Sequence, residues 1–251
     1  MTAQKLSIGA AHIAYRRHDG APPTVVFLGG YSSDMGGTKA LALEAHCRAR
    51  GRGVVCFDYR GHGDSGGEFC DFRLSDWRDD VLAVVDQATA GPLVLVGSSM
   101  GGWLMLLAAL ARRERVAGLV GIAAAADFSE DIRLSLGAEQ RRALGQDGVI
   151  HLGAGAEAYP VTKKFLEDGR RHLLLDQAIA LDCPVRLLHG MRDAEVPWRT
   201  SVRVMEQLRG ADVRVTLLKD GGHRLSAPPE LELIMNAVDE VAALARRAQR
   251  P

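Results

Sequence analysis

The chain has 251 residues, 47% of them hydrophobic and 25% charged, which excludes a disordered or fibrous protein. Single cores stop growing near roughly 250 to 300 residues, so one large domain is expected. The 31 Lys and Arg balance 31 Asp and Glu, leaving no global field to draw the protein to nucleic acid or an anionic membrane. No apolar run reaches the roughly 18 residues that cross a bilayer, and Met1-Thr2-Ala3-Gln4-Lys5 lacks the apolar core of a signal peptide. A soluble, cytoplasmic protein without stable membrane insertion is therefore expected. Cys47, Cys56, Cys70 and Cys183 form no Cys-x-x-Cys pair, so reduced structural thiols are expected rather than a zinc or redox motif.

Short apolar runs alternate with longer segments of helical period, the pattern of a mostly parallel sheet covered by helices. Leu6 to Ile8 and His12 to Tyr15 are candidate strands of an N-terminal hairpin, followed by the strand Thr24 to Leu28. The helix Thr38 to Arg50, with Thr38 as its cap, precedes the strand Val54 to Asp58. Ser75 caps the next helix, whose Trp77, Val81, Val84 and Ala88 share a face. The strand Leu93 to Val96 leads into Met100 to Arg112, apolar on nearly every side, as a helix against the sheet centre must be. After a sixth strand, Val116 to Ile122, the segment Asp127 to Asp182 has helical fragments, the pairs Arg141-Arg142 and Lys163-Lys164, and no convincing strand. It reads as a helical cap inserted into the domain. The strands Val185 to His189 and Val213 to Leu218 alternate with the helices Trp198 to Leu208 and Leu231 to Arg247.

Gly97-Ser98-Ser99-Met100-Gly101 fits Gly-x-Ser-x-Gly, a pattern that chance alone produces in about one chain in seven of this composition. Its position between a strand and a helix is what makes it informative, because a nucleophile elbow is a strand, a sharp turn and a helix. The strained turn needs glycine at 97 and 101, where side chains would meet backbone, and it lifts the Ser99 hydroxyl above the sheet. Ser98 is out of frame.

A serine hydroxyl needs a base in contact, and the base an orienting carboxylate, in the chain order Ser, acid, His. Asp193 follows the strand ending at His189, and His223, in Asp220-Gly221-Gly222-His223, follows the last strand. Glu195 and Asp127 are rival acids, and Asp193 can also be read as a turn-former. His189, His172 and His151 do not fall after the final strand. The two amides of an oxyanion hole are assigned to Met100 and to Tyr31, which ends Leu28-Gly29-Gly30-Tyr31. Only the Tyr31 amide is required, leaving its ring to shape the pocket.

Asp71, Asp76, Asp79 and Asp80 resemble a cation site, but three of them fall in the first turn of a helix, where acidic residues complement the dipole. Arg60-Gly61-His62-Gly63-Asp64-Ser65-Gly66-Gly67 is glycine-rich, yet lacks the Lys-Ser/Thr ending of a phosphate loop and reads as a structural turn near the site. No metal and no organic cofactor is expected.

These residues, with Asp58-Tyr59-Arg60-Gly61-His62-Gly63-Asp64-Ser65 and His189-Gly190-x-x-Asp193-x-x-Val196-Pro197, resemble the α/β-hydrolase superfamily over nearly the whole chain. The resemblance implies an α/β-hydrolase fold: an eight-stranded, mostly parallel sheet flanked by helices, with a small helical cap after the sixth strand. Gly37-Thr38-Lys39-Ala40-Leu41-Ala42, Gly97 to Leu106 and Arg186-Leu187-Leu188-His189-Gly190-Met191 are similar to a branch of mitochondrial acyl-protein thioesterases that also cleave acyl glucuronides. That likeness implies the triad Ser99, Asp193 and His223, and as partner a small-molecule ester or thioester, or an acylated protein. The compartment is not carried over, since no leader is evident. Gly29 stands where many members of the superfamily have histidine.

Leu134, Leu136, Leu144, Tyr159, Phe165 and Leu166 are candidates for an apolar acyl pocket, though most also suit the core of the cap. Arg192 and Arg224 neighbour the acid and base, as solvated side chains or as attractors of a carboxylate. A carbon-carbon bond hydrolase or lipase with the same triad is the alternative enzyme, and a hydrolase-fold binding protein the non-enzymatic one. Oligomeric state is not readable from the sequence.

Overall fold

In the computed structural model, which describes residues 3–153, 155 and 158–248, the strands that read as continuous apolar runs are those buried on both faces. Chain order begins with β1 (Gln4–Ile8), β2 (Ala11–His18), β3 (Ala21–Leu28), α1 (Thr38–Ala49), β4 (Arg52–Phe57) and α2 (Leu74–Gln87). It continues with β5 (Leu93–Ser98), α3 (Met100–Ala111) and β6 (Val116–Ile122). Eight strands form one sheet in the order β1-β2-β4-β3-β5-β6, then β9 (Val185–Gly190) and β10 (Val213–Leu218). Only β2 runs against its neighbours; every other pair in the body of the sheet is parallel.

Alternate residues of a strand feed opposite cores. Val26, Leu28, Leu93 and Leu95 pack with Trp77, Val81, Trp103 and Leu104 of α2 and α3. Val25, Phe27, Val94 and Val96 face α1 and α8 (Pro228–Ala248), meeting Leu43, Ile234, Val238 and Val241. In α3, Met100 through Ala109 are all buried, which accounts for its lack of a polar face. Among the described residues no helix is long and apolar enough to cross a membrane.

The order of the strands, rather than their number, creates the site. The chain leaves β3, adds β4 on one side, then crosses back to place β5 on the other. The carboxyl ends of β3 and β5 therefore open beside each other, where ligands bind in open α/β sheets.

The segment after β6 contains α4 (Phe128–Ser135), α5 (Ala138–Asp147) and α6 (Lys163–Gly169), and also a hairpin of β7 (Val149–Leu152) and β8 (Tyr159–Thr162). The purely helical expectation is thus corrected: these four-residue strands are too short to show a period, and β8 carries Pro160 on a strand with one neighbour. The start of the insertion is tied to a point near its end at Asp127, whose carboxylate accepts the amides of Leu174 and Leu175 at 2.8 to 3.1 Å.

Two caps also differ from expectation. Gly37, not Thr38, precedes α1. Ser75 lies inside α2, and its amide is capped by Asp168 of the insertion at 2.7 Å while its hydroxyl bonds Asp168 and His172. Nor do the aspartates act as one group. Asp80 is fully buried and accepts from the Arg60 amide and guanidinium at 2.9 and 2.5 Å, whereas Asp71 lies in a separate turn.

Candidate active site

Ser99 stands between β5 and α3 with φ 54° and ψ −122°, a conformation that costs free energy in a non-glycine residue. Packing holds it there. A Cβ on Gly97 would run into the Gly101 carbonyl, and one on Gly101 into the carbonyls of Leu28 and Gly29. The helix thus starts directly against the end of β3. Ser98 belongs to β5 and is buried, while Ser99 is partly open.

The loops after β9 and β10 bring Asp193 and His223 to this turn. His223 Nε2 lies 3.0 Å from Ser99 Oγ, and His223 Nδ1 lies 2.7 Å from Asp193 Oδ2. An ionised carboxylate only accepts, so Nδ1 carries the proton and the Nε2 lone pair faces the serine hydroxyl. Asp193 Oδ1 accepts the amides of Glu195 and Val196 at 2.9 and 2.8 Å. Burial opposes ionisation of Asp193, but hydrogen bonds from His189, His223 and the Val196 amide outweigh it and hold the carboxyl well below the ordinary carboxylate range.

The rival acids lie elsewhere. Asp127 is committed to the insertion's exit, and burial raises its carboxyl despite those amides. Glu195 is 61% exposed and approaches His223 at Nε2, 3.6 Å away, rather than at Nδ1. Of the other histidines, His172 bonds Ser75 of α2. His189 is fully buried behind the acid, its Nε2 3.1 Å from Asp193 Oδ2. Sequence reasoning set His189 aside as a rival base and gave no signal of this second contact.

Gly30 presses against the elbow: a Cβ there would stand 3.3 Å from Ser99 Cβ. Tyr31 follows Gly30 in that loop, and Met100, which follows Ser99, is the first residue of α3. Two residues after β4 brace the loop. Asp58 accepts the amides of Met35 at 2.6 Å and Asp64 at 2.9 Å, and the Tyr59 hydroxyl donates to the Gly29 carbonyl at 3.1 Å. The glycine-rich turn from Arg60 to Gly67 is tied into this brace through Asp64 and through Ser65, which donates to the Asp58 carbonyl at 2.7 Å. Lys39 of α1 donates to the Arg224 carbonyl, linking that helix to the loop that carries His223.

The Tyr31 ring is not free. It packs within 4.9 to 6.0 Å of Phe69, Trp77, Phe128, Tyr159 and Phe165, and its hydroxyl donates to the Pro160 carbonyl at 2.8 Å. Burial pushes its phenol well up. Of the candidate acyl-pocket residues, Leu136, Leu144, Phe165 and Leu166 are core, Leu134 is 61% exposed, and Tyr159 is partly open. Arg192 pairs with Asp220 at 2.7 Å on the open surface. Among the described residues no cluster of three or more His, Cys, Asp and Glu is arranged to hold a metal ion.

Comparison with known proteins agrees with this architecture. Residues 21–146 match the family model described as serine aminopeptidase, S33. The human palmitoyl-protein thioesterase ABHD10, mitochondrial, is 40% identical over 233 residues, covering 92% of this chain and 76% of that protein. The structure of mouse α/β hydrolase domain-containing protein 10 superposes with a TM-score of 0.90 at 37% identity, covering 96% of this chain and 98% of the other. Est1E from Butyrivibrio proteoclasticus, bound to ferulic acid, shares the fold with a TM-score of 0.82 at 22% identity, over 98% of this chain and all of its own. The eight-stranded sheet, the elbow at Ser99 and these likenesses together place the chain in the α/β-hydrolase family that includes ABHD10.

Proposed function

We propose that this ester or thioester hydrolase works through an acyl-enzyme on Ser99, with Asp193 and His223 completing the triad. The observation that carries the reading is the unbroken line from Ser99 Oγ through His223 to the buried carboxylate of Asp193, at 3.0 and 2.7 Å. His223 Nε2 takes the Ser99 proton as Oγ attacks the carbonyl carbon. Negative charge gathers on the carbonyl oxygen, where the Tyr31 and Met100 amides receive it. The tetrahedral intermediate collapses, the bond to the leaving group breaks, and His223 returns the proton to the departing alcohol or thiol. Water then repeats the sequence on the acyl-enzyme and releases the acid.

The residues between Asp127 and Asp182 act as the cap that selects substrate, because β8 and α6 place Tyr159, Pro160 and Phe165 against the Tyr31 ring. An S-acylated protein or a small acyl thioester is the preferred substrate class, supported by the 40% identity to a palmitoyl-protein thioesterase. A cytoplasmic site of action belongs to the same reading; the four cysteines are unpaired in the fold, which fits any reducing compartment. The curated relative carries a mitochondrial designation in its own name.

Labelling by a fluorophosphonate probe tests the triad, with labelling of the wild type and none of Ser99→Ala expected. An unlabelled wild-type protein overturns it. S-palmitoyl peptides, short p-nitrophenyl esters, an acyl glucuronide and a vinylogous diketone, assayed side by side, test the substrate class. Turnover of the diketone alone overturns the ester and thioester reading.

A further inference from the structure

We propose that His189 is a positioning residue for Asp193, a second imidazole on the same carboxylate, whose ring Ser201 anchors from behind. The inference rests on the triad reading above. Its basis is an accounting of donors and acceptors around a side chain with no exposure to solvent.

His189 Nε2 lies 3.1 Å from Asp193 Oδ2 and 3.1 Å from the Val196 carbonyl oxygen. Both are acceptors, so the nitrogen between them must carry the hydrogen. The other nitrogen, Nδ1, lies 2.7 Å from Ser201 Oγ, and Ser201 is likewise fully buried. A neutral imidazole with its proton on Nε2 has a lone pair on Nδ1, which the Ser201 hydroxyl satisfies by donating. A continuous chain therefore runs Ser201, His189, Asp193, His223, Ser99.

Each link has a distinct task. The Glu195 and Val196 amides hold Oδ1, while His223 and His189 share Oδ2. His223 changes its charge during the proposed proton-transfer cycle, so its pull on Oδ2 is not constant. His189 supplies a donor that does not take part in the reaction, rooted in β9 and held by α7 (Arg199–Gln207) through Ser201. The carboxylate then keeps the direction that presents Oδ2 to His223 Nδ1. His189 touches no reacting atom.

The test compares His189→Phe, His189→Gln and Ser201→Ala. Phenylalanine keeps a planar ring and removes the donor, whereas the glutamine amide restores an N–H near the Nε2 position. A hydrogen bond to a charged group sets the scale, so His189→Phe is expected to lower kcat by about 10- to 100-fold with KM unchanged. His189→Gln should recover most of that loss. In proton NMR, the downfield resonance of the His223 Nδ1–H bound to Asp193 should move in His189→Phe and stay in place in His189→Gln.

Wild-type kcat in a folded His189→Phe protein overturns the proposal. So does an equal loss in the phenylalanine and glutamine variants with an unmoved resonance, since that outcome marks bulk packing alone. If His189→Phe does not fold, Ser201→Ala carries the test: a shifted resonance and reduced kcat support the chain, and unchanged values refute it. The NMR signal does not need turnover, so a wild-type protein without hydrolase activity would refute the proposed function while leaving the positioning measurable.

Discussion

Replacing Asp193 by asparagine keeps the volume and turns one acceptor into a donor. Both carboxylate oxygens are committed, Oδ1 to the Glu195 and Val196 amides and Oδ2 to His223 Nδ1 and His189 Nε2. Backbone amides only donate, so the asparagine oxygen must take the Oδ1 place and its NH2 group must face the two imidazoles. His223 then offers the lone pair of Nδ1, carries its proton on Nε2, and has nothing with which to take the proton of Ser99. A wrong tautomer of this kind costs about 10⁴-fold in kcat, or about 5 kcal/mol of transition-state stabilisation. The assay is steady-state hydrolysis of a short p-nitrophenyl ester beside the rate of fluorophosphonate labelling, with Glu195→Gln as the control. That control should keep most of the activity. An Asp193→Asn enzyme within about tenfold of wild type, or a larger loss in the control, would refute the assignment of the acid. The same substitution has a thermodynamic signature. The folded Asp193 carboxyl is held below its unfolded value, so it contributes stability above roughly pH 4 that is lost as pH falls toward the folded value. The difference in Tm between wild type and variant should therefore narrow in acid.

Gly101→Ala should destabilise the fold by more than about 3 kcal/mol, because the added Cβ meets the backbone carbonyls of Leu28 and Gly29 rather than a side chain able to turn away. An unchanged urea midpoint would show that the elbow is not packed against β3 as described. His62 is buried among the rings of Tyr59, Phe69 and Trp77, and burial lowers its imidazole from 6.5 to about 4. Between those values the unfolded chain binds a proton that the folded chain refuses, so stability falls with falling pH by about 3 kcal/mol in total. Urea unfolding of His62→Phe at pH 7 and pH 4.5 should show a smaller pH dependence than wild type; an identical dependence would contradict the buried neutral imidazole.

The parts of the fold that were legible in the sequence are those set by local pattern. Continuous apolar runs identified β5 and β9 because burial on both faces leaves no alternation, whereas β10, with its polar residues and half-open face, was legible from its alternating valines; Ser99, Asp193 and His223 follow these three strands. What escaped is set by partners far along the chain. Ser75 has the chemistry of a cap, yet Asp168 does the capping from 93 residues away. Asp80 sits in a helix where its spacing suggests a dipole role, and only the approach of Arg60 shows why it can be buried. The Tyr31 hydroxyl meets the Pro160 carbonyl across 129 residues, a contact for which no periodicity provides a sign. The β7–β8 hairpin escaped for a different reason, because four residues do not establish a period against the helices on either side.

The carboxylate of Asp127 closes the insertion at its root, drawing the chain at residues 174 and 175 back to the point from which it departed. The segment is also bound to the body of the domain, where Asp168 caps α2 and Phe165 joins the main core, so an exchanged segment must keep those contacts. With them kept, the residues between can change while β5, β9 and β10 hold Ser99, Asp193 and His223 in place. In such an architecture what is admitted can diversify while what is done to it stays fixed, and a graft of residues 128–173 from a relative is the natural unit for changing one without the other.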